Sequence, residues 1–375
     1  MVGGGIGSFI GAVHRIAANM DGQVELVCGA LSSREAVARE SGKLLFLPED
    51  RIYNSYEEMI LGESKLPVGE RMDFVSIVTP NFAHFRPAML ALEHGFHVAV
   101  DKPITFSLDE AEKLKEKLDE MGLKLLLTYT YCGYPMVKQA REIIKKGQLG
   151  NIRKIYVEYI QGWLSQPSEK NGNAQAAWRT DPEKSGPSGC MGDIGTHAIN
   201  LAEYVSGLET TELCAMLNTV VEGRQLDDDG MVLLKFNNSA TGMLAATQIA
   251  AGEENNLTLR VYGEKGGLEW HQMEPNTLIL KWADRPAEIL RAGLGNIGLS
   301  SIASSNCRTP AGHPEGYLEA FGNLYRNFAL DIRGEDLNGE KPAYPSVKEG
   351  IHGMAFIENV VRSNQDSQKW TKFIV

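Results

Sequence analysis

Met1-Val2-Gly3-Gly4-Gly5-Ile6-Gly7-Ser8 opens the chain and leads directly into the amphipathic stretch Phe9–Ala18. Two apolar residues, a glycine cluster and a helix start make the strand–turn–helix that begins a doubly wound α/β sheet. Glycines let the backbone approach a pyrophosphate, whose charge is stabilised by the free N–H groups and dipole of the helix N-terminus. Gly3, Gly5, Ile6, Ser8, Phe9 and Ile10 are therefore the candidate contacts to a dinucleotide. The spacing departs from GxGxxG, because Ser8 stands at the third glycine position when Gly3 is the first. A flexible glycine-rich start without a ligand is the competing reading. Only Met1 and Val2 precede the turn, which fits a first strand that begins upstream of this methionine.

Outward from the turn, short β-rich runs alternate with amphipathic stretches up to about residue 130. Val24–Ala30, Asp73–Val78, Phe96–Val100 and Lys124–Leu127 are compact apolar runs of the kind buried on both faces of a parallel sheet. Phe9–Ala18, Ser33–Ser41, Phe82–His94 and Ser107–Met121 carry helical periodicity, the last opening on a Ser107/Glu110 capping box. The alternation predicts a Rossmann dinucleotide-binding domain over residues 1–130. Ligands of such sheets lie beyond the carboxyl ends of the strands, which singles out three segments. At the strand-two exit no acid is present to bind an adenosine ribose diol. Ser32, Ser33 and Arg34 suit a 2′-phosphate instead, which favours NADP over NAD; alternatively, Ser33 only caps the next helix. Thr79, Pro80, Asn81 and His84 follow one later strand, and Asp101-Lys102-Pro103 the next. Lys102 reads either as a cation aimed at the cofactor crevice or as an ordinary surface lysine.

After Tyr134-Pro135 and a helix over about Met136–Gly147 the texture changes. Ile152–Tyr159, Glu212–Val221, Met231–Phe236, Ala240–Ile249, Leu257–Tyr262 and Gly267–Trp270 read as strands. Turns at Asn237-Asn238 and Gly263–Gly266 join four of them as antiparallel hairpins. Helices over about Glu315–Ile332 and Ser346–Val361 close the chain. Residues 131–375 are thus expected to form an α+β domain with an open, mostly antiparallel sheet. The Gly162–Gly195 stretch reads as a long polar loop, and loops that long are usually functional or disordered.

That loop runs into Gly192-Asp193-Ile194-Gly195-Thr196-His197, the start of a helix continuing through Ser206. Asp193 and His197 are four apart, so both can project from one face of its first turn. Alcohol oxidation needs a base for the hydroxyl proton while hydride leaves the same carbon, and imidazole ordinarily titrates near neutrality. On this reading His197 is the base, Asp193 orients it or passes the proton on, and Lys102 hydrogen-bonds the reacting oxygen. Two other readings stand beside it. Asp193 could cap the helix with His197 in the core, or the pair could hold a metal with His313 or Glu315. No clear third and fourth ligand accompanies them, so no metal is expected. Recognition of a polar small-molecule substrate needs planar hydrogen-bonding groups and an aromatic face. Tyr131, Tyr134, Gln161, Trp163, Trp178, Arg179, His313 and Tyr317 are the candidates, with Trp178 and Arg179 also candidates for cofactor contact. As aromatics, Tyr131 and Trp163 would serve equally as packing residues.

Taken in order, the glycine turn, Thr79-Pro80-Asn81-x-x-His84, Asp101-Lys102-Pro103 and Gly192–His197 resemble the Gfo/Idh/MocA family. Glucose–fructose oxidoreductase and inositol dehydrogenase are its namesakes, and the resemblance covers essentially the whole chain. Asp101 stands where the family usually has Glu, a one-methylene change. Residues 1–15, 175–182 and 312–321 also resemble a subgroup of sugar or glycoside dehydrogenases. The resemblance implies NAD(P)-dependent hydride transfer at a ring hydroxyl of a sugar or polyol, with Lys102, Asp193 and His197 as the catalytic residues. It further implies a homo-oligomer, dimer or tetramer, packed through the open face of the second domain's sheet.

Composition bounds the alternatives. A formal charge of −11 argues against a duplex nucleic-acid partner, which needs a Lys/Arg surplus. Five scattered cysteines without a CxxC pair suggest neither disulfides nor zinc, and fit a reducing, cytoplasmic setting. No apolar run approaches the roughly 18 residues of a membrane span, and the apolar start lacks the basic region of a signal peptide. Two other functions share the fold. One is an NAD-assisted glycosidase that oxidises, eliminates and reduces in one cycle. The other is a non-catalytic nucleotide-sensing regulator, which would be expected to lose the Lys102, Asp193 and His197 retained here.

Overall fold

Ser8 starts the first helix: its Oγ accepts from the Gly11 amide at 3.2 Å, and α1 runs over Phe9–Asn19. The computed structural model describes Met1–Val375. Its contacts divide it into residues 1–129 with 321–351, and residues 130–320 with 352–375. The boundary thus falls at 129/130, and a segment expected in the second domain groups with the first. Aromatic packing is the reason. Phe321 lies edge-on to His14 at 4.7 Å, and Phe328 edge-on to Phe74 at 5.3 Å.

In the first unit α2 (Glu35–Leu44), α3 (Tyr56–Glu63), β1 (Phe74–Ile77), α4 (Phe85–Glu93), β2 (His97–Val100), α5 (Leu108–Met121) and β3 (Leu125–Leu127) follow in order. The three strands pair in parallel. Val2 bridges Ile77 on one side and Ala30 on the other, and Gly29 bridges Ile52, all in parallel. The resulting order, 52, 29–30, 2, β1, β2, β3, is the doubly wound order whose ligand crevice opens at the central strands. Val75, Ile77, Val98, Val100 and Leu125–Leu127 are buried, as strands covered on both faces should be. Val24–Ala30 departs from expectation. Gly29 and Ala30 alone bridge, to Ile52 and Val2, and the Met1 ammonium adds a hydrogen bond to the Cys28 carbonyl at 2.9 Å. Ser107 does cap α5, its Oγ accepting from the Glu110 amide at 3.3 Å, while the Glu110 carboxylate reaches back to the Phe106 amide at 3.1 Å.

The second unit begins with α6 (Pro135–Lys145) and β4 (Ile152–Ile160). The expected Gly162–Gly195 loop is not structureless. It holds the short helices α7 (Ala174–Arg179) and α8 (Pro182–Ser185), capped by the Asn173 and Asp181 side chains. A π-helical turn at Met191–Gly195 then leads into α9 (Thr196–Ser206). Next come β5 (Thr210–Asn218), β6 (Asp229–Phe236), β7 (Thr241–Thr247), β8 (Asn256–Gly263), β9 (Gly266–His271), β10 (Thr277–Trp282) and β11 (Glu288–Arg291). The chain closes with α10 (Ser301–Ser305), α11 (Tyr317–Arg333), α12 (Val347–Gln365) and β12 (Thr371–Lys372). Nine strands form one sheet in the order β11-β10-β9-β8-β4-β7-β6-β5-β12, antiparallel except between β4 and β7. α9 packs on β4, β7 and β8 through buried Ala198, Ile199, Leu201, Ala202 and Val205. Along β4, Ile155, Val157 and Tyr159 are buried at alternate positions, which is the period of a strand with one covered face. No helix is long and apolar enough to cross a membrane.

Helix α1 can approach the glycine turn only because Gly11 has no side chain: a Cβ there would stand 2.3 Å from the Gly4 Cα. Gly11→Ala should therefore cost about 1–3 kcal/mol, the usual range for overpacking. A lowered urea midpoint, with dinucleotide affinity falling in parallel, is the expected measurement.

Candidate active site

The glycine turn presents bare backbone at a capped helix start. Gly3, Gly4 and Gly7 have φ of +78°, +78° and +82°, conformations that side chains disfavour. A Cβ on Gly5 would lie 2.7 Å from the Leu31 carbonyl oxygen. Ile6 and Phe9 are exposed and Ile10 is half-buried. The Ile6 amide donates to Ser41 Oγ at 3.0 Å. These features fit a pyrophosphate cradle whose backbone added Cβ atoms at Gly3, Gly4 and Gly5 would force out of place. The close-packing role sought at Ser8 belongs to Gly11, three residues on, and Ser8 is the cap. At the strand-two exit Ser33 and Arg34 are exposed, and Ser32 Oγ accepts from the Arg34 amide at 3.2 Å. Ser33 does not cap α2: the helix begins at Glu35 with Arg34 in the cap position, so the Ser33 hydroxyl lies one residue too early.

His84 ties two strand exits together. Its Nδ1 lies 2.8 Å from the Pro103 carbonyl and its Nε2 2.8 Å from the Thr79 carbonyl, while Thr79 Oγ1 donates to Ala83 at 3.1 Å. Burial lowers the His84 pKa and favours the neutral ring, which donates from one nitrogen only. Asn81 is buried in the intervening 3₁₀ turn, and Pro80 is exposed. Lys102 is half-buried beside Asp101. Asp101 accepts from Thr128 Oγ1 at 2.9 Å, and its Oδ1 lies 3.8 Å from His14 Nε2. Behind His14 the network continues, His14 Nδ1 meeting the Tyr325 hydroxyl at 2.7 Å and that hydroxyl meeting Ser76 Oγ at 2.8 Å. Burial raises the Asp101 carboxyl, yet His14 and the Lys102 ammonium outweigh it and hold the group well below the usual carboxylate range.

In the second unit, Asp193 lies in the π-helical turn rather than in the first turn of an α-helix, and His197 is the second residue of α9. The i, i+4 argument therefore does not transfer unchanged, because a π-turn winds more widely. Asp193 Oδ2 accepts from Gln248 Nε2 at 2.8 Å and from Arg179 Nε at 3.3 Å. The Arg179 guanidinium lies over Trp178 at 4.2 Å and near Trp163 at 5.8 Å, so one side chain links the carboxylate to two indoles. His197 is buried, edge-on to Tyr131 at 5.0 Å and to Tyr159 at 6.2 Å. The Tyr131 and Tyr159 hydroxyls are hydrogen-bonded to each other. Asn255 joins them, its Oδ1 accepting from Tyr159 at 2.8 Å and from Gln161 Nε2 at 2.7 Å, its Nδ2 donating to Tyr131 at 3.3 Å. Trp163 Nε1 donates to Gln161 Oε1 at 3.1 Å. Burial pushes both tyrosine pKa values up, so the hydroxyls keep their protons.

Not every candidate joins this cluster. Tyr134 is 2% exposed and packs on Trp270 at 5.5 Å and on the Tyr131 ring at 6.4 Å, a core position behind the cluster. His313 is exposed, with Nδ1 turned to the Pro310 carbonyl at 3.3 Å. Tyr317 is half-buried and within electrostatic reach of Tyr159. Glu315 accepts from the Arg308 and Thr309 amides at 2.5 and 2.9 Å, which makes it the clasp of its own loop. No group of three or more His, Cys, Asp or Glu could hold a metal ion. Tyr159, Gln248 and Asn255 escape the sequence reading. Tyr159 and Gln248 each carry a signal, being polar-tipped residues at the end of an inward apolar stripe, after Ile155 and Val157 and after Leu244 and Ala246. Asn255 sits in Glu253-Glu254-Asn255-Asn256, which reads only as a turn.

Residues 1–129 match a family described as an oxidoreductase family with an NAD-binding Rossmann fold, and residues 137–269 match the GFO/IDH/MocA C-terminal domain. The chain belongs to the Gfo/Idh/MocA family of oxidoreductases, and its N-terminal part is an NAD-binding Rossmann domain. An uncharacterised oxidoreductase of Bacillus subtilis, YfiI, is 32% identical over 380 residues, 100% of this chain and 96% of that protein. Levoglucosan dehydrogenase of Pseudarthrobacter phenanthrenivorans is 25% identical over 311 residues, 77% of each. An inositol dehydrogenase homologue from Azotobacter vinelandii, solved with NAD+, has a TM-score of 0.94 at 34% identity, covering 100% of this chain and 96% of that one.

Asp101 supplies a test of the half-buried charge beside Lys102. Its folded pKa lies below the unfolded value of about 3.9. Its contribution is therefore complete above about pH 5 and is lost as pH falls toward the folded value. Asp101→Asn should lower stability at pH 7 by about 1–3 kcal/mol and flatten the decline between about pH 5 and pH 2. Urea midpoints across that range give the measurement.

Proposed function

We propose that this protein is a nicotinamide-dependent dehydrogenase that oxidises a ring hydroxyl of a sugar or polyol, or reduces the corresponding ketone. The hydrogen-bonded set around His197 carries the reading: Tyr131, Tyr159, Asn255 and Gln161 offer both donors and acceptors beside an imidazole. A polyhydroxylated ring can pair with the donor and acceptor capacity these groups keep beyond their bonds to one another. Relatives named as levoglucosan and inositol dehydrogenases support the same substrate class. They favour neither an NAD-assisted glycosidase nor a non-catalytic regulator.

In this proposal Gly3, Gly5, Ile6, Ser8, Phe9 and Ile10 hold the dinucleotide with Thr79, Pro80, Asn81, His84 and Asp101, and Trp178 and Arg179 contribute. When bound, the nicotinamide supplies the hydride acceptor or donor. His197 takes the hydroxyl proton, Asp193 orients its ring, and Lys102 hydrogen-bonds the reacting oxygen where negative charge develops. Tyr131, Gln161, Trp163, Arg179 and Tyr317 contact the sugar. Ser32, Ser33 and Arg34 favour NADP over NAD. The exposed Met216, Met231 and Leu233 on β5 and β6 are the apolar surface through which copies would associate as a homo-oligomer. A panel of sugars, polyols and glycosides with NAD and NADP, read at the absorbance of reduced nicotinamide, tests the proposal. Release of an aglycone without a keto product would overturn it.

Ser33→Asp should shift preference toward NAD, since a carboxylate repels a 2′-phosphate and accepts from a ribose diol. Unchanged kcat/KM ratios for the two cofactors would remove the adenosine site from this segment. His197→Asn should keep cofactor binding while turnover falls by about a hundred- to ten-thousandfold, and Lys102→Met by about a hundredfold or more. In the oxidation direction kcat/KM should rise with pH through one ionisation that disappears in His197→Asn. Survival of that limb in an active variant would assign the base elsewhere.

A further inference from the structure

Asp227 takes no part in the chemistry proposed above, yet it is buried at the start of the segment that carries it. It lies in Leu226-Asp227-Asp228-Asp229-Gly230. The structure buries Asp227 to 9% exposure and Asp228 to 2%. Asp227 Oδ1 accepts from Ser188 Oγ and from the Gly189 amide, both at 2.8 Å, and Oδ2 accepts from the Met191 amide at 2.8 Å. Its backbone carbonyl accepts from the Cys190 amide at 2.8 Å. Ser188 Oγ, held by Asp227, accepts in turn from the Gly192 amide at 3.1 Å. The four successive amides of residues 189–192 are thus satisfied by Asp227 and the serine it holds. These are amides that a helix start leaves without partners of its own.

The same acidic run reaches Asp193 by a second route. The Asp228 carbonyl accepts from the Gln248 amide at 2.9 Å, and the Gln248 side chain holds Asp193 Oδ2 at 2.8 Å. At Gly189 a Cβ would meet the Asp227 carbonyl oxygen at 2.4 Å, so the two segments meet backbone to backbone. A π-turn is a rare conformation, found mostly as a single turn and often at functional sites. Relaxation toward α-helical hydrogen bonding would change the angular offset between Asp193 and His197. We infer that Asp227 is a positioning residue of the active site, whose carboxylate fixes the Met191–Gly195 turn and so sets where Asp193 and His197 stand. The inference rests on the reading of those two residues as the base and its partner. Burial raises the Asp227 carboxyl against the pull of its donors, the Met191 and Gly189 amides and the Ser188 hydroxyl.

Asp227→Asn and Ser188→Ala test it together. Asn leaves one acceptor oxygen where two served three donors, and Ala removes the Ser188 hydroxyl without altering charge. The readout is the titration of the His197 ring by NMR on histidine-labelled protein, assigned from the signal lost in His197→Asn. Tyr131 and Tyr159 face that ring, and Cys190, Asp193, Asp228 and Asp229 surround the clamp. Both variants should bind dinucleotide with unchanged affinity. Turnover should fall by about a hundredfold in Asp227→Asn, the scale of a 1 Å misplacement, and by about tenfold in Ser188→Ala. The His197 midpoint should move by about half a pH unit or more in both. A midpoint that moves only in Asp227→Asn would make Asp227 a through-space charge, and one that moves in neither would make it a structural residue; either overturns the inference. If Asp227→Asn does not fold, Ser188→Ala decides alone. Should His197→Asn retain full turnover, the assignment of the base falls, while the ring titration still decides whether Asp227 holds the turn.

Discussion

The contact between Gly4 and Gly11 is a constraint on which much of the first unit depends. With no side chain on either residue, α1 packs directly against the turn that precedes it. The Arg15 guanidinium, one turn further along, donates to the Gly4 carbonyl and fastens the turn from the far side. His14, on the same stretch of helix, meets Tyr325 and faces Asp101. A steric allowance at one glycine thus determines the position of a helix, and the helix in turn sets the surroundings of the residue before Lys102. Tyr325 and Phe321 reach this core from near the C-terminus, so residues distant in sequence share one packing problem.

Carboxylates drawn back from solvent organise both units, Asp227 buried and Asp101 and Asp193 half-buried. A buried charge is tolerable only when it is paired or hydrogen-bonded, and Asp101, Asp193 and Asp227 meet that condition differently. Asp101 uses a hydroxyl and an imidazole. Asp193 uses a guanidinium and an amide side chain. Asp227 uses a hydroxyl and two backbone amides. Only Asp193 is positioned to serve chemistry through its own oxygens in the proposal made here. The other two act on what lies next to them, an ammonium in one unit and a π-turn in the other.

The order of strands and helices in the first unit and the hairpins of the second were legible because they rest on local periodicity and on turn chemistry, and the family through the resemblance of its short motifs taken in order. The capping box at Ser107 is legible for the same reason, since both partners lie within one helical turn. Val24–Ala30 reads as a strand by composition, yet pairing requires a neighbour of matching length, which composition does not report. Tyr134 and Tyr131 look alike in sequence, three residues apart. One packs on Trp270 in the core and the other faces His197, and only the packing of α6 and the sheet distinguishes them.

By itself the sequence determined the residues whose demands are local: the glycine turn, the helix caps, the alternating strands, and the chemical types available at Lys102, Asp193 and His197. Tertiary structure decided which distant groups satisfy them. Gln248 reaches Asp193 across 55 positions and Asn255 reaches Tyr131 across 124. Asp227 meets Gly189 across 38. An acidic run beside a glycine is most economically read as a solvated turn, because its charges are cheapest in water. It becomes a buried clamp only when the fold delivers unpaired amides to it, and that delivery depends on the register of a nine-stranded sheet rather than on any neighbouring residue.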